Sequence, residues 1–225
     1  MLGVYVTIPV ACFRKGMARE YLETEPIPPP ATCYGFLLSL VGETDRRRHV
    51  GCRVTATRIS QSDVSVVLRT VWRVKKTPLG SSGNTRPDYQ QLLTEVSLVV
   101  WLDSKEETNG GDQTLETRVK GALQDPASVH RFGGLSLGES AHLVNDVSLL
   151  DQLGSVITDA PVETFLQDER GRITLPVWVD HVGSAGTRYA TGNLEIADAL
   201  RIPELARMPK ISPDHPPQTA SQNLD

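Results

Sequence analysis

Residues 28–43 read PPPATCYGFLLSLVGE, and their reading decides how the rest of the chain is parsed. Proline breaks a helix interior but suits the first turn, where its missing N–H would have no partner anyway. The apolar run that follows predicts a core helix, and Gly42 predicts its C-terminal cap. Gly35 costs about 1 kcal/mol against alanine inside a helix, which predicts a close approach to a sheet at that point.

Both flanks of this helix read as strands. Upstream, residues 2–14, LGVYVTIPVACFR, put Val4, Val6, Ile8, Val10 and Cys12 on one face in strict alternation. Downstream, CRVTATRI (52–59) predicts a second strand and VSVVLRTVWRVKK (64–76) a longer one. In the latter, Val64, Val66, Leu68, Trp72 and Val74 share one side, while Arg69, Arg73 and Lys75 share the other with Val67 and Val71. A covered apolar face and a cationic outer face are expected. LLTEVSLVVWLD (92–103) resumes the alternation. The Gly-, Ser- and Pro-rich stretch between these strands predicts a hairpin with a long tip, about residues 76–92. Lys75, Lys76, Arg86 and Tyr89 lie at or near that tip, and cations interleaved with an aromatic suit a single-stranded nucleic acid.

DQTLETRVKGALQD (112–125) predicts a second helix with Asp112 as N-cap, and HLVNDVSLL (142–150) another strand. The order of elements predicts an α+β fold: a ferredoxin-like, RRM-type domain over residues 1–150 with the long hairpin inserted. RITLPVWV and TRYATGNLEI give a β-rich extension over 151–205, and the polar, Pro-rich stretch 206–225 is expected to be disordered.

Between the second helix and the last strand of that domain lies RFGGLSLGES (131–140). Gly133 and Gly138 have the spacing of a nucleotide-binding loop, but Glu139 and Ser140 stand where such a loop has Lys and Ser/Thr. A carboxylate there repels phosphate, which excludes an NTP site and leaves a backbone N–H cradle, flanked by Arg131 and His142, for another anion.

With 39% apolar and 22% charged residues in 225, the chain has a globular composition. Its net charge of −4 is uneven: the first hundred residues carry +5 and the remainder −9, so one face is available for a polyanion. Cys12, Cys33 and Cys52 lack the spacing of a zinc site or a disulfide framework and fit a reducing cytoplasm. The N-terminus lacks a signal-peptide pattern and FLLSLV is too short to span a bilayer, so no membrane is expected. No cofactor or metal is implied. The one cluster suited to metal-free acid–base chemistry on RNA is His130, Arg131 and His142 around the glycines.

CFRKG (12–16), the PPPATCYGFLLSLVGE helix and RFGGLSLGESAHLVNDV (131–147) together resemble the Cas-five family, the subunit of type I CRISPR Cascade complexes that caps the 5′ end of the guide RNA. The style is closest to the I-B group, and the resemblance covers about residues 3–150. It implies an RRM-like core with a β-hairpin thumb and a glycine-rich loop. It further implies binding of the crRNA 5′ handle, contacts with the backbone and large subunits, and target DNA met only through the complex. Gly133, Gly134, Ser136, Gly138 and Ser140 fall on the glycine-rich loop and would bring N–H groups to handle phosphates. Arg14 and Lys15 fall on the basic turn, and Thr77–Gln91 on the thumb. Phosphates would also be met by Arg69, Arg73 and Arg131, a base by Tyr89, and base edges by Ser140, His142 and Asn145. One branch of the family cuts the repeat RNA with a Tyr, Lys and His set. Here Arg131 follows His130 and no Lys-His pair exists, which implies a non-catalytic subunit. A metal-independent repeat endoribonuclease and a protein–protein adaptor stand as alternatives.

Overall fold

A computed structural model describes residues 1–16, 18, 21–72, 78, 80–108, 110–153, 161–182 and 184–214. Strand β1 (Leu2–Ala11) leads into two short pieces, β2 (Phe13–Arg14) and β4 (Thr24–Glu25), which pair with each other around β3 (Tyr21–Leu22). Helix α1 (Pro30–Leu40) follows, then β5 (Arg53–Arg58), β6 (Val64–Trp72), the nineteen-residue β7 (Thr85–Asp103), α2 (Leu115–Gln124), β8 (Asp146–Leu149), β9 (Val162–Gln167), β10 (Ile173–Trp178) and β11 (Arg188–Ala197). They build one sheet in the order β10-β11-β9-β5-β7-β1-β8, with β3 and β6 alongside the first half of β7. Only the β3–β7 pair is parallel among the described strands.

Helices α1 and α2 cover one face of this sheet. Val4, Val6 and Ile8 of β1, Val54 and Ala56 of β5, and Leu98, Val100 and Leu102 of β7 point at Phe36, Leu37, Leu40, Leu115 and Val119. The alternation of β1 holds to Ile8 and then slips: Pro9 is exposed and Ala11, paired with Leu93, is buried, and the partner strand is irregular at the same level, with Glu95 at a φ of +53°. Val10 is therefore only half-buried, against expectation.

Helix α1 starts as its prolines dictate, with Pro30 in the first turn. It ends in a Schellman motif: Gly42 has a φ of +67° and the Glu43 N–H reaches back to the Leu38 carbonyl at 2.9 Å. Gly35 differs from its expected role. No atom lies within 4 Å of where its Cβ would stand, so it opens a surface groove instead of admitting a sheet. Helix α2 takes Thr114, not Asp112, as N-cap, its side chain accepting the Thr117 N–H. Glu107 accepts the Leu115 N–H at 2.9 Å and so supplies the first-turn acceptor that Asp112 was expected to provide.

A buried polar network locks the two helices together. Arg118 Nη1 donates to Glu43 Oε2 at 2.6 Å and to His49 Nε2 at 2.7 Å, and the other ring nitrogen of His49 lies 2.6 Å from Glu107. Because a guanidinium only donates, His49 must carry its proton on Nδ1 and give it to Glu107. Burial alone would raise the Glu43 carboxyl; the Arg118 hydrogen bond, the Asp45 N–H and the nearby guanidiniums overcome this and hold it at about 2.

The opposite face is covered by the C-terminal segment. Met208 is buried against Ile59, Val99, Trp101 and Val162, with Leu200 and Leu205 alongside. Ile211 is buried in the helix-side core instead, its carbonyl accepting the Gly51 N–H at 2.8 Å and its own N–H donating to the Cys52 carbonyl at 2.9 Å. The stretch expected to be disordered from residue 206 is thus anchored at least to Ile211, and residues 215–225 lie outside the described region. The β-rich part beyond 150 likewise adds strands to the same sheet through β5–β9 pairing. No helix among the described residues is long and apolar enough to cross a membrane.

Candidate nucleic-acid interface

The second half of the expected tip is a paired ribbon: β6 runs beside Thr85–Leu93 of β7 in continuous register. Residues 85–91, expected at a flexible tip, are extended because β6 supplies their hydrogen bonds. Arg73, Lys75 and Lys76 lie outside the described residues. The two faces of the ribbon are the reverse of the expectation. Val64, Val66 and Leu68 are 57%, 53% and 62% exposed, and with Tyr89 and Tyr21 they form an open apolar face. The Arg69 face is the covered one: Asp88 and Gln90 are buried, and Gln90 Nε2 donates to Glu139 of the glycine-rich loop at 3.0 Å. Arg86 lies on that same face and pairs with Asp88 at 3.5 Å. Arg69 and Tyr89 therefore point to opposite sides of the thumb, and one nucleotide cannot meet both there.

The glycine-rich loop is two structures in sequence. Residues 135–144 fold into a tight hairpin: Val144 N–H reaches the Leu135 carbonyl at 2.9 Å, Leu137 N–H the His142 carbonyl at 3.2 Å, and Leu137 is buried in the core. His142 Nδ1 accepts two backbone N–H groups, from Cys12 at 3.1 Å and from Glu139 at 3.3 Å. Burial pushes the His142 imidazole below its usual value, with Arg69 acting the same way and Glu139 opposing. Gly138, at φ +104°, is pressed against the strand corner, since a Cβ would stand 2.8 Å from the Cys12 carbonyl. His142 and Gly138 thus brace the loop, and Ser140 is exposed at the hairpin tip.

Arg131 to Gly134 form the open half. Phe132 is fully exposed, Gly133 has a φ of +79° with free space around it, and among the described residues no acceptor faces the N–H groups of Phe132, Gly133 or Gly134. Arg131 makes no ion pair among the described residues. Arg131 and Phe132 of this segment line a cleft of about 540 Å³ over α1, shared with His130, Gly42 and Arg46. A second cleft of about 350 Å³ continues along α1 to Ser136, Gly138 and Trp178. Gly35, Leu38, Ser39 and Arg46 line both. Arg46 stacks on Trp178, its Cζ 4.0 Å from the ring centroid, and donates to the Val179 carbonyl. Open amides, an exposed ring and guanidiniums around a groove form a surface able to take phosphates and a base together.

The other expected residues are dispersed. Arg14 donates to the Ala18 carbonyl at 2.8 Å and Lys15 pairs with Glu23 at 3.5 Å, both at the surface of the turn after β1. Asn145 lies apart, lining a small cleft with Thr7, Pro9 and Glu95. The sequence reading missed Phe132, Arg46 and Trp178. Phe132 carried a signal, an aromatic between a cation and two glycines; Arg46 stood in a basic run, and nothing in the sequence joined it to Trp178.

A scan against protein-family models finds no match. The chain is 53% identical over 213 residues to a CRISPR-associated protein Cas5 from Myxococcus xanthus, covering 94% of this chain and 97% of that one. Its fold is shared with a chain of a CRISPR RNA-guided surveillance complex, at a TM-score of 0.56 and 15% identity over 88% of this chain and 90% of that one. A Cas protein known from a crystal structure matches at 0.52 and 15% over 95% of this chain and 99% of the other. An identity of this size over nearly the whole of both chains places this protein in the Cas5 family of CRISPR-associated proteins.

Proposed function

We propose that this chain is the non-catalytic RNA-binding subunit of a type I CRISPR effector of I-B style. In this reading it caps the crRNA 5′ handle in the cytoplasm and bridges the backbone and large subunits. The observation that carries this is the open Arg131–Gly134 segment, where Arg131 and the bare Phe132 ring line the α1 groove and the free amides of residues 132–134 follow directly in the chain. Such a surface takes a single strand by its phosphates and one base face, without the major-groove geometry that duplex readers need. The strand order β8-β1-β7-β5, with α1 and α2 on one face, supports a ferredoxin-like, RRM-type core. The exposed Val64, Val66, Leu68 and Tyr89 face favours a protein neighbour, because aliphatic side chains bury against protein and do not stack on bases. Target DNA would be met through the assembled complex. The non-catalytic assignment is supported by His142, whose Nδ1 is already used by two backbone N–H groups and is not available there as a base. Three buried thiols fit a reducing compartment.

The test is a gel-shift series with repeat-derived handle RNA, a scrambled RNA and matching DNA, rerun under denaturing conditions with and without EDTA. Preferential binding of intact handle RNA, lost in Arg131→Glu, is the expected result. Metal-independent cleavage would move the protein to the repeat-processing branch, and absence of RNA dependence in assembly would make it an adaptor.

A further inference from the structure

Glu139 occupies the position where a phosphate-binding loop carries lysine, and its carboxylate is fully engaged. One oxygen takes Arg69 Nη1 at 3.2 Å and the other takes Gln90 Nε2 at 3.0 Å. Arg69 in turn donates to Gln90 Oε1, and Gln90 is buried, so these donors hold a fixed arrangement. A guanidinium and an amide converging on two oxygens of one anion is also the arrangement that a phosphodiester would use. The backbone of Glu139 is pinned by its N–H to His142 Nδ1 at 3.3 Å. Its side chain is 30% exposed and that of Arg69 42%, so the carboxylate can swing into solvent without moving the loop.

We propose that Glu139 is a specificity-determining residue: an internal substitute for phosphate that keeps Arg69 neutralised until an RNA phosphate in the correct position displaces it. The proposal rests on the RNA-binding reading above. A polyanion that touches the thumb root alone meets a paired cation and a carboxylate, and gains little. A strand already held at Arg131 and the Phe132–Gly134 amides presents its next phosphates at high local concentration and can make the exchange. Glu139 would therefore suppress non-specific binding more than handle binding.

The experiment measures fluorescence anisotropy of labelled repeat-derived handle RNA and length-matched single-stranded DNA with four full-length proteins: wild type, Glu139→Gln, Arg69→Gln and the double variant. Glutamine keeps the shape and removes the charge. Glu139→Gln is expected to tighten DNA binding by about fivefold, the size of one partly exposed ion pair, and handle RNA by less, with a melting temperature within about 3 °C of wild type. In the Arg69→Gln background the same substitution is expected to change nothing. An equal gain with and without Arg69 overturns the proposal, because Glu139 would then act as bulk negative charge; so does no gain at all. Wild type and Glu139→Gln both failing to bind any RNA overturns the RNA-binding reading beneath it, an outcome distinct from the other two.

Discussion

The Nδ1 of His142 accepts the backbone N–H of Cys12 at 3.1 Å, across 130 positions of sequence, and so ties the glycine-rich loop to the corner after β1. A protonated ring could not accept that bond or the one from Glu139. The folded imidazole is held below its ordinary value by burial, so the unfolded chain binds the proton more readily. The stabilisation is complete above the unfolded value, about 6.5, and is lost as pH falls through the lower folded value. The melting temperature is expected to fall between about pH 7.5 and about pH 5.5, and His142→Gln to flatten that slope. An identical slope in the variant would show that the bond is not the titrating element.

Arg118→Leu leaves the buried Glu43 carboxylate with only the half-exposed Arg48 and the Asp45 N–H, and removes the donor to His49 Nε2. With Arg48 still 3.2 Å away, the cost sits at the lower end for breaking a buried pair from one side, about 3 kcal/mol, or roughly 10 °C in melting temperature for a chain of this size. The Glu43 carboxyl is held at about 2. This stabilisation is therefore present above the ordinary glutamate value and is lost as pH falls toward the folded one, so the stability gap between wild type and Arg118→Leu should stay constant above that ordinary value and close as pH falls below it.

Gly138→Ala and Gly133→Ala make a contrasting pair. Both residues have positive φ, but only at 138 would the new methyl meet backbone, 2.8 Å from the Cys12 carbonyl. Backbone strain costs each about 1–2 kcal/mol, and the clash adds to Gly138→Ala alone. Urea unfolding should therefore rank it clearly below Gly133→Ala, and equal midpoints would refute the packing of the loop on the strand corner.

Leu68→Ser changes a side chain that is 62% exposed and touches no core. Stability should stay within about 0.5 kcal/mol of wild type, while co-purification with the backbone subunit drops if the apolar thumb face is a protein contact. Retention of the partner at wild-type yield would remove that face from the interface.

Local chemistry made the helices and the principal strands legible. Pro30 and Gly42 mark their helix ends because each acts on its own backbone. What failed was anything decided by a distant neighbour. Alternation showed that β6 has two unlike faces, but not that the Arg69 side would be covered by Glu139 and Gln90 while Leu68 stayed open. Thr114 displaced Asp112 as N-cap because Glu107 had taken the Leu115 N–H. Met208 and Ile211 are single anchors in a polar, Pro-rich stretch, without the period that composition or hydropathy can register. In the site, Arg131 and Gly133 were legible from spacing, whereas Arg46 meets Trp178 only through the fold.

β7 belongs to body and thumb alike. Its nineteen residues reach about 60 Å at the usual rise of a strand, clamped on both edges by β1 and β5 at one end and carrying β6 at the other. In mechanical terms it is a cantilever, built into its wall and not hung from a hinge. A load on the outer part must bend the strand near Glu95 or be borne by Leu98, Val100 and Leu102 beneath the helices. A partner on the outer ribbon, as proposed above, would thereby be set apart from the α1 groove by the built-in length of one strand, and the molecule would act as a gauge of that separation.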